Sequence, residues 1–136
     1  MKKITLLLFF CLSCLSPHAW AQETQLDLTI AHCEAAKKAD RDLNAVYHRI
    51  LALYAKNKPF LIHLKKAQRA WVQFRDAHLL SIYIPEAGGW GSSEGMCRCI
   101  ELQKLTEHRT KQLKEWLTSE EGDMCGGSKG LTDLTP

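Results

Sequence analysis

Polar side chains occupy helical positions that are normally apolar in a packed helix, and this pattern restricts the fold of the chain strongly. Asp40 and Asn44 share one helical face with apolar residues, Gln68 and Arg75 share a second, and Arg109 lies on a third. Burying such groups is costly unless each finds a hydrogen-bond partner. The pattern therefore predicts packed helices joined by a buried polar network that contains all five residues.

Breaker residues divide the chain into three helical segments. The first is predicted from between residues 24 and 29 to about residue 55, and the second from residue 59 to about residue 84, where Pro85 stops it. A loop with four glycines spans residues 85–95, and Ser92 or Ser93 is expected to cap a third helix that reaches about residue 118. No segment shows the alternation of apolar and polar residues that is typical of a β-strand. Short connections favour antiparallel neighbours, so the predicted fold is all-α, an antiparallel three-helix bundle.

The chain begins with features of a secretory signal. Lys2 and Lys3 precede an apolar run, and the small residues Ala19 and Ala21 provide a cleavage site, so residues 1–21 are expected to be removed. Residues 22–118 would form the helical domain and residues 119–136 a flexible tail. No later run is long enough to span a membrane. Loss of two lysines lowers the formal charge from +3 to +1, which argues against a nucleic-acid partner.

Four cysteines remain after the signal, and an even number in an exported chain favours disulfides. In an antiparallel bundle Cys33 and Cys99 fall at the same end, both on inward stripes, which predicts a disulfide between them. Cys97 is rotated away from that stripe, and Cys125 follows too few residues after a long third helix to return easily. The pairing of these two stays open. A metal site at Cys97 and Cys99 is the competing interpretation, but a lone Cys-x-Cys lacks the second pair that zinc sites need.

The residues on the three faces resemble those of the LprI-like lysozyme-inhibitor family. The resemblance covers roughly residues 33–116 and depends on an ordered set of short motifs: Ala39-Asp40, Leu43-Asn44, Tyr47, Ala67-Gln68, Trp71, Phe74-Arg75-Asp76, Leu105-Thr106, Arg109 and Leu113. It implies an exported, all-helical, disulfide-bonded protein without a cofactor, and for at least one member it implies inhibition of lysozyme. The family usually has a cysteine where this chain has Leu79, and the Cys-x-Cys at residues 97–99 is atypical.

The glycine-rich loop provides the candidate contact with a partner. Trp90 has no helical reason to be buried there, and exposed loops on rigid scaffolds often carry binding residues. Glu86 and Glu94 flank it with negative charge. Two interpretations stay open: Trp90 contacts a protein partner, or it folds back over the end of the bundle and covers the Cys33–Cys99 region.

Three functional hypotheses follow from these residues. The first is a non-enzymatic binding protein, periplasmic or secreted, that inhibits a lysozyme by occluding its cleft. The second is an assembly factor of the cell envelope that binds another exported protein. The third is a hydrolase that uses the Asp40–Arg75 cluster, although that face offers no obvious nucleophile, and the scattered histidines predict no metal site.

Overall fold

The computed structural model describes residues 24–118 and 124–133, which form three α-helices and two short 3₁₀ turns. The helices are α1 (Gln25–Leu53), α2 (Lys58–Ile82) and α3 (Glu94–Lys114), and the turns are Pro85–Ala87 and Glu115–Leu117. No described residue belongs to a strand. The all-helical prediction is confirmed. The predicted signal peptide lies outside the described residues and stays a prediction.

Local hydrogen bonds explain where two of the helices begin. Thr24 and Asp27 form a capping box at the start of α1, in which each side chain accepts a bond from the other residue's backbone N–H. The Thr24 hydroxyl also donates to the Asp27 carboxylate at 2.6 Å, and this bond, followed by the one from the Thr24 backbone N–H, holds the pKa of Asp27 below its usual value. Asn57 caps α2 by accepting from the Phe60 N–H at 3.0 Å. Ser93 occupies the cap position of α3 but makes no side-chain cap bond, because its backbone is already helical.

Helices α1 and α3 pack closely because their shared surface is made of small residues. Ala36 and Ala39 on α1 are buried, as are Thr106 and Thr110 on α3. Both threonine hydroxyls donate to the carbonyl four residues earlier, at 2.7 and 2.9 Å, so neither is left unpaired in the interior. Small side chains let the two backbones approach along most of their length.

Helix α2 lies farther from α1 and α3 than those two lie from each other, because it packs through large side chains. Phe60 and Leu64 enter the buried core beside Tyr54 and Leu113, while Trp71 covers that core from the side. The α2 backbone approaches α3 at few positions. The spacing leaves an open groove of about 700 Å³ between α1 and α2, and one of about 500 Å³ between α2 and α3.

The predicted disulfide is confirmed. Cys33 on α1 and Cys99 on α3 are bonded, with their Cα atoms 4.9 Å apart. Cys97 is a half-buried free thiol two residues away. Cys125 lies exposed in the C-terminal segment, residues 124–133.

The C-terminal segment is anchored, which corrects the expectation of a tail that is flexible throughout. The buried Tyr54 hydroxyl donates to the Trp116 carbonyl at 3.0 Å and accepts from the Gly130 N–H at 2.7 Å. Asn57 donates from Nδ2 to the Leu131 carbonyl at 2.8 Å. Side chains at the turn between α1 and α2 thus form hydrogen bonds with backbone groups of the C-terminal segment. Residues 119–123 and 134–136 of the predicted tail lie outside the described residues.

Candidate functional site

The glycine-rich loop projects from the end of the bundle that carries the disulfide. It leaves α2 through the Pro85–Ala87 turn, and Gly88 and Gly91 adopt φ values of 90° and 79°, which a residue with a side chain rarely adopts. Trp90 is 47% exposed at the centre of this loop. Its ring meets the Tyr83 ring edge-on, with centroids 6.5 Å apart. The loop therefore presents a large aromatic side chain to solvent while one aromatic contact holds it.

A second set of contacts fixes the base of the loop. The Arg98 guanidinium on α3 lies over the Tyr83 ring, 5.4 Å from its centroid, and Arg98 also pairs with Glu94 at 3.9 Å. Tyr83 thus links Trp90 to α3. Burial, with a smaller contribution from the negative charge of Glu101, raises the pKa of the Tyr83 phenol, so the ring under Arg98 stays neutral. Tyr83 and Arg98 were not predicted from the sequence, although the position of Arg98 four residues after Glu94 was a usable signal.

The position of Trp90 bears on the two interpretations of the loop. The disulfide lies in the groove between α1 and α2, where Ala36, Leu79 and Leu102 surround it, and Trp90 is not among the residues that line this groove. The structure therefore does not show Trp90 covering Cys33 and Cys99. Glu86 is exposed beside it and forms no ion pair with a described residue, whereas Glu94 pairs with Arg98.

Other large apolar side chains are also exposed toward this end of the molecule. Gln25 contacts Met96 through its side chain, which brings the start of α1 beside the start of α3. Leu26 is 66% exposed, Ile30 54% and Ile84 45%. Their exposure leaves these side chains available to a protein partner that contacts the loop.

The predicted polar network separates into two clusters. In the first, Arg75 donates from Nε and Nη2 to Asp76 at 2.8 Å, and its Nη1 lies 3.8 Å from Asp40, which also accepts from Asn44 at 3.0 Å. In the second, Arg109 donates from Nε to Gln68 at 3.0 Å. Burial lowers the pKa of Arg109.

The prediction of a single buried network is therefore wrong, and the spacing of α2 explains why. Asp40 and Asn44 are exposed, since the groove between α1 and α2 admits solvent to that face of α1. Gln68 is buried, whereas Arg75 and Arg109 are half-buried. Helical periodicity identified the right faces but could not reveal how far apart they lie.

Two negative findings apply to the described residues. They contain no group of three or more histidine, cysteine, aspartate or glutamate side chains arranged to hold a metal ion. Among the described helices, none has the length and apolar character needed to cross a membrane.

Comparison with known proteins identifies the family. A family model described as lysozyme inhibitor LprI matches residues 16–113. The chain belongs to the LprI lysozyme-inhibitor family. An uncharacterised protein of Rhizobium meliloti (strain 1021) is 35% identical over 109 residues, which cover 72% of this chain and 77% of that relative. No solved structure is significantly similar to this LprI-family chain.

Proposed function

We propose that this protein is an exported, non-enzymatic inhibitor of lysozyme that acts in the periplasm or outside the cell. Membership of the LprI family supports inhibition, and the Cys33–Cys99 disulfide fits an oxidising compartment. The observation that carries the location of the contact is the exposed Trp90, held by Tyr83 on a loop that is bridged to α3.

The proposed mechanism is occlusion of the lysozyme cleft by the loop of residues 85–95. Tryptophan offers a large contact area with few rotatable bonds, so little conformational entropy is lost when it binds in a cleft. The Tyr83 contact and the Tyr83–Arg98 bridge restrain Trp90 before binding, which lowers the ordering cost further. The flanking apolar residues Leu26, Ile30 and Ile84 would extend the interface around it.

Electrostatics contribute locally rather than through the whole molecule. With the signal removed, the formal charge of +1 gives little long-range attraction to a basic lysozyme. Glu86 lies on the loop, exposed and without an ion pair among the described residues, so it is available to a basic side chain of the partner. Glu94 is less available because it pairs with Arg98.

The groove between α1 and α2 was the candidate site for hydrolase activity, and its chemistry fits a structural ion pair better. It is open to solvent, as a catalytic site would require, and it holds Asp40, Asp76 and Arg75. Both carboxylates lie against the same guanidinium. No serine, threonine or histidine lines the groove, and its two cysteines are joined in the disulfide. The groove therefore lacks a hydroxyl or free thiol nucleophile beside a histidine base.

A clearing assay with intact peptidoglycan tests the proposal. Oxidised protein without residues 1–21 is titrated against c-type, g-type and i-type lysozymes, beside the variants Trp90→Ala and Phe74→Ala. Phe74 is the matched control because it is an aromatic residue of similar exposure, 55%, on α2 away from the loop. We expect inhibition of at least one lysozyme class, weakened more than about tenfold by Trp90→Ala, as for a binding hot spot, and unchanged by Phe74→Ala.

Two outcomes would contradict parts of this proposal. Full inhibition by the Trp90→Ala variant would keep the function and reject the loop as its site. Clearing that stays unchanged in molar excess of the protein would reject inhibition itself. In that case recovery of one stoichiometric partner from periplasmic extract would favour the assembly-factor hypothesis.

A further inference from the structure

The groove between α2 and α3 combines apolar walls with one arginine, Arg109, and its rim also carries His63 and Asn57. Phe60 and Leu64 contribute from α2, and the Trp116 ring lies beside Phe60 with centroids 4.7 Å apart. Arg109 lines the same groove from α3, and Ser128 of the C-terminal segment contributes to its wall. The volume of about 500 Å³ is within the range of small-molecule sites.

The charge of Arg109 is not balanced by the part of the protein that the structure describes. Its Nε donates to Gln68 at 3.0 Å and its Nη1 to Gln112 at 3.1 Å, and both acceptors are neutral amide oxygens. No described carboxylate pairs with it, in contrast to Arg75, which lies against both Asp76 and Asp40. Nη2 of Arg109 has no hydrogen-bond partner among the described residues. Every buried side-chain nitrogen or oxygen of those residues does have one, so Nη2 is in contact with solvent.

Such a guanidinium is a receptor for an anion. Burial lowers the pKa of Arg109, but arginine does not lose its proton in proteins, so a positive charge lies half-buried beside apolar walls. A half-buried charge interacts more strongly with an ion of opposite sign than a fully solvated charge does. The two amides that hold Nε and Nη1 orient the planar group and leave Nη2 to donate to a ligand.

We propose that this groove binds a small carboxylate that carries an apolar tail. The carboxylate accepts hydrogen bonds from Arg109, and the tail lies against Phe60, Leu64 and Trp116. Trp116 and Ser128 follow the segment of residues 16–113 that the family model matches, so part of the site lies outside the matched region. The inference does not depend on lysozyme inhibition, because the groove and the loop of residues 85–95 share no residue.

Calorimetric titration with phenylbutyrate tests the proposal, and phenylbutanamide serves as the uncharged control of the same shape. The variants are Arg109→Gln, which removes the charge, and Arg69→Gln, which removes an exposed arginine of α2 that does not line this groove. We expect phenylbutyrate to bind wild type and Arg69→Gln alike, and to bind Arg109→Gln about tenfold more weakly or not at all, the range for a lost charged hydrogen bond.

A second variant keeps the test decisive if Arg109→Gln fails to fold. Ala67 is exposed at the rim of the groove, so Ala67→Trp fills it from the surface without entering the core, and it should also prevent binding. Amide NMR shifts induced by phenylbutyrate should cluster around residues 60–67 and 109–116. Equal binding of phenylbutanamide, retained binding by folded Arg109→Gln, or an absence of binding to wild type would overturn the proposal.

Discussion

Arg75 and Arg109 are residues of one type at equivalent inward positions, and the structure gives them different surroundings. Arg75 spans two carboxylates at the edge of an open groove, and its guanidinium also lies 5.4 Å from the centroid of the Trp71 ring. Arg109 makes side-chain hydrogen bonds only to neutral amides among the described residues. The helical spacing of the sequence predicted that both arginines face inward. It could not predict their partners, because those depend on the distance between helices.

The exposure of the two carboxylates that pair with Arg75 determines how much the free energy of unfolding should fall when Arg75 is replaced. The side chains of Asp40 and Asp76 are 52% and 56% exposed, so water can solvate both carboxylates when the guanidinium is removed. Arg75→Met removes the guanidinium that lies over Trp71 and should lower the free energy of unfolding by about 1 kcal/mol, as for the loss of exposed ion pairs and a surface cation–π contact. Urea unfolding of the variant and of wild type measures this change in the free energy of unfolding. A loss of about 3 kcal/mol or more, typical of a broken buried pair, would show that Asp40 and Arg75 are buried partners after all.

At the scale of the elements, the sequence predicted helix limits well and helix spacing poorly. Proline, glycine and the polar break at residues 57–59 act locally, so α1, α2 and α3 begin and end within a few residues of the predicted limits, or of a 3₁₀ turn that continues them. The spacing depends on contacts between distant residues. Ala36 and Ala39 draw α3 against α1, whereas Trp71 and Phe60 hold α2 away, and this difference creates the grooves.

The C-terminal segment is the element that the sequence analysis described least well. Its composition is that of a mobile tail, and the side chains that anchor it, the Tyr54 hydroxyl and the Asn57 amide, lie far away in the sequence at the turn between α1 and α2. Because the Tyr54 hydroxyl bonds both the Trp116 carbonyl and the Gly130 N–H, no local pattern in residues 124–133 predicts the attachment.

Removal of that hydroxyl should loosen the segment while the bundle stays folded. Tyr54→Phe leaves two backbone groups without their partner and should cost about 1–3 kcal/mol in the free energy of unfolding. Amide hydrogen exchange at Gly130 should accelerate strongly, while exchange in α1 and α3 should change little. Tyr47→Phe is the control, since this half-buried tyrosine bonds no described residue through its hydroxyl. Unchanged exchange at Gly130 in Tyr54→Phe would show that the hydroxyl does not anchor the segment.

At the scale of the whole molecule, the Cys33–Cys99 disulfide joins the closely packed pair of helices, and α2 lies between them in the chain. The bond encloses a sequence separation of 66 residues, so it restricts the unfolded chain considerably. The sequence predicted this bond because both cysteines fall on inward stripes at one end of the bundle.

The candidate site was predicted less completely than the disulfide. Trp90 was identified from the loop, but Tyr83 and Arg98, which support it, were not.

Breaking the disulfide should destabilise the fold substantially. The double variant Cys33→Ser/Cys99→Ser should lose about 4 kcal/mol in the free energy of unfolding, the value that the chain-entropy model gives for closing a loop of this length. Cys97→Ser is the matched control and should unfold at the same urea concentration as wild type, since Cys97 is not part of the bond. A double variant as stable as wild type would show that helix packing alone holds α1 and α3 together.

Occlusion of the lysozyme cleft is the central functional claim, and competition for that cleft tests it most directly. Calorimetry would measure the affinity of the oxidised, signal-free protein for a lysozyme that it inhibits, with and without a chitin oligosaccharide filling the cleft. If the loop of residues 85–95 enters the cleft, the saccharide should abolish binding or weaken it in proportion to its own occupancy. Binding of equal affinity with the cleft filled would contradict the account and place the contact elsewhere on the lysozyme.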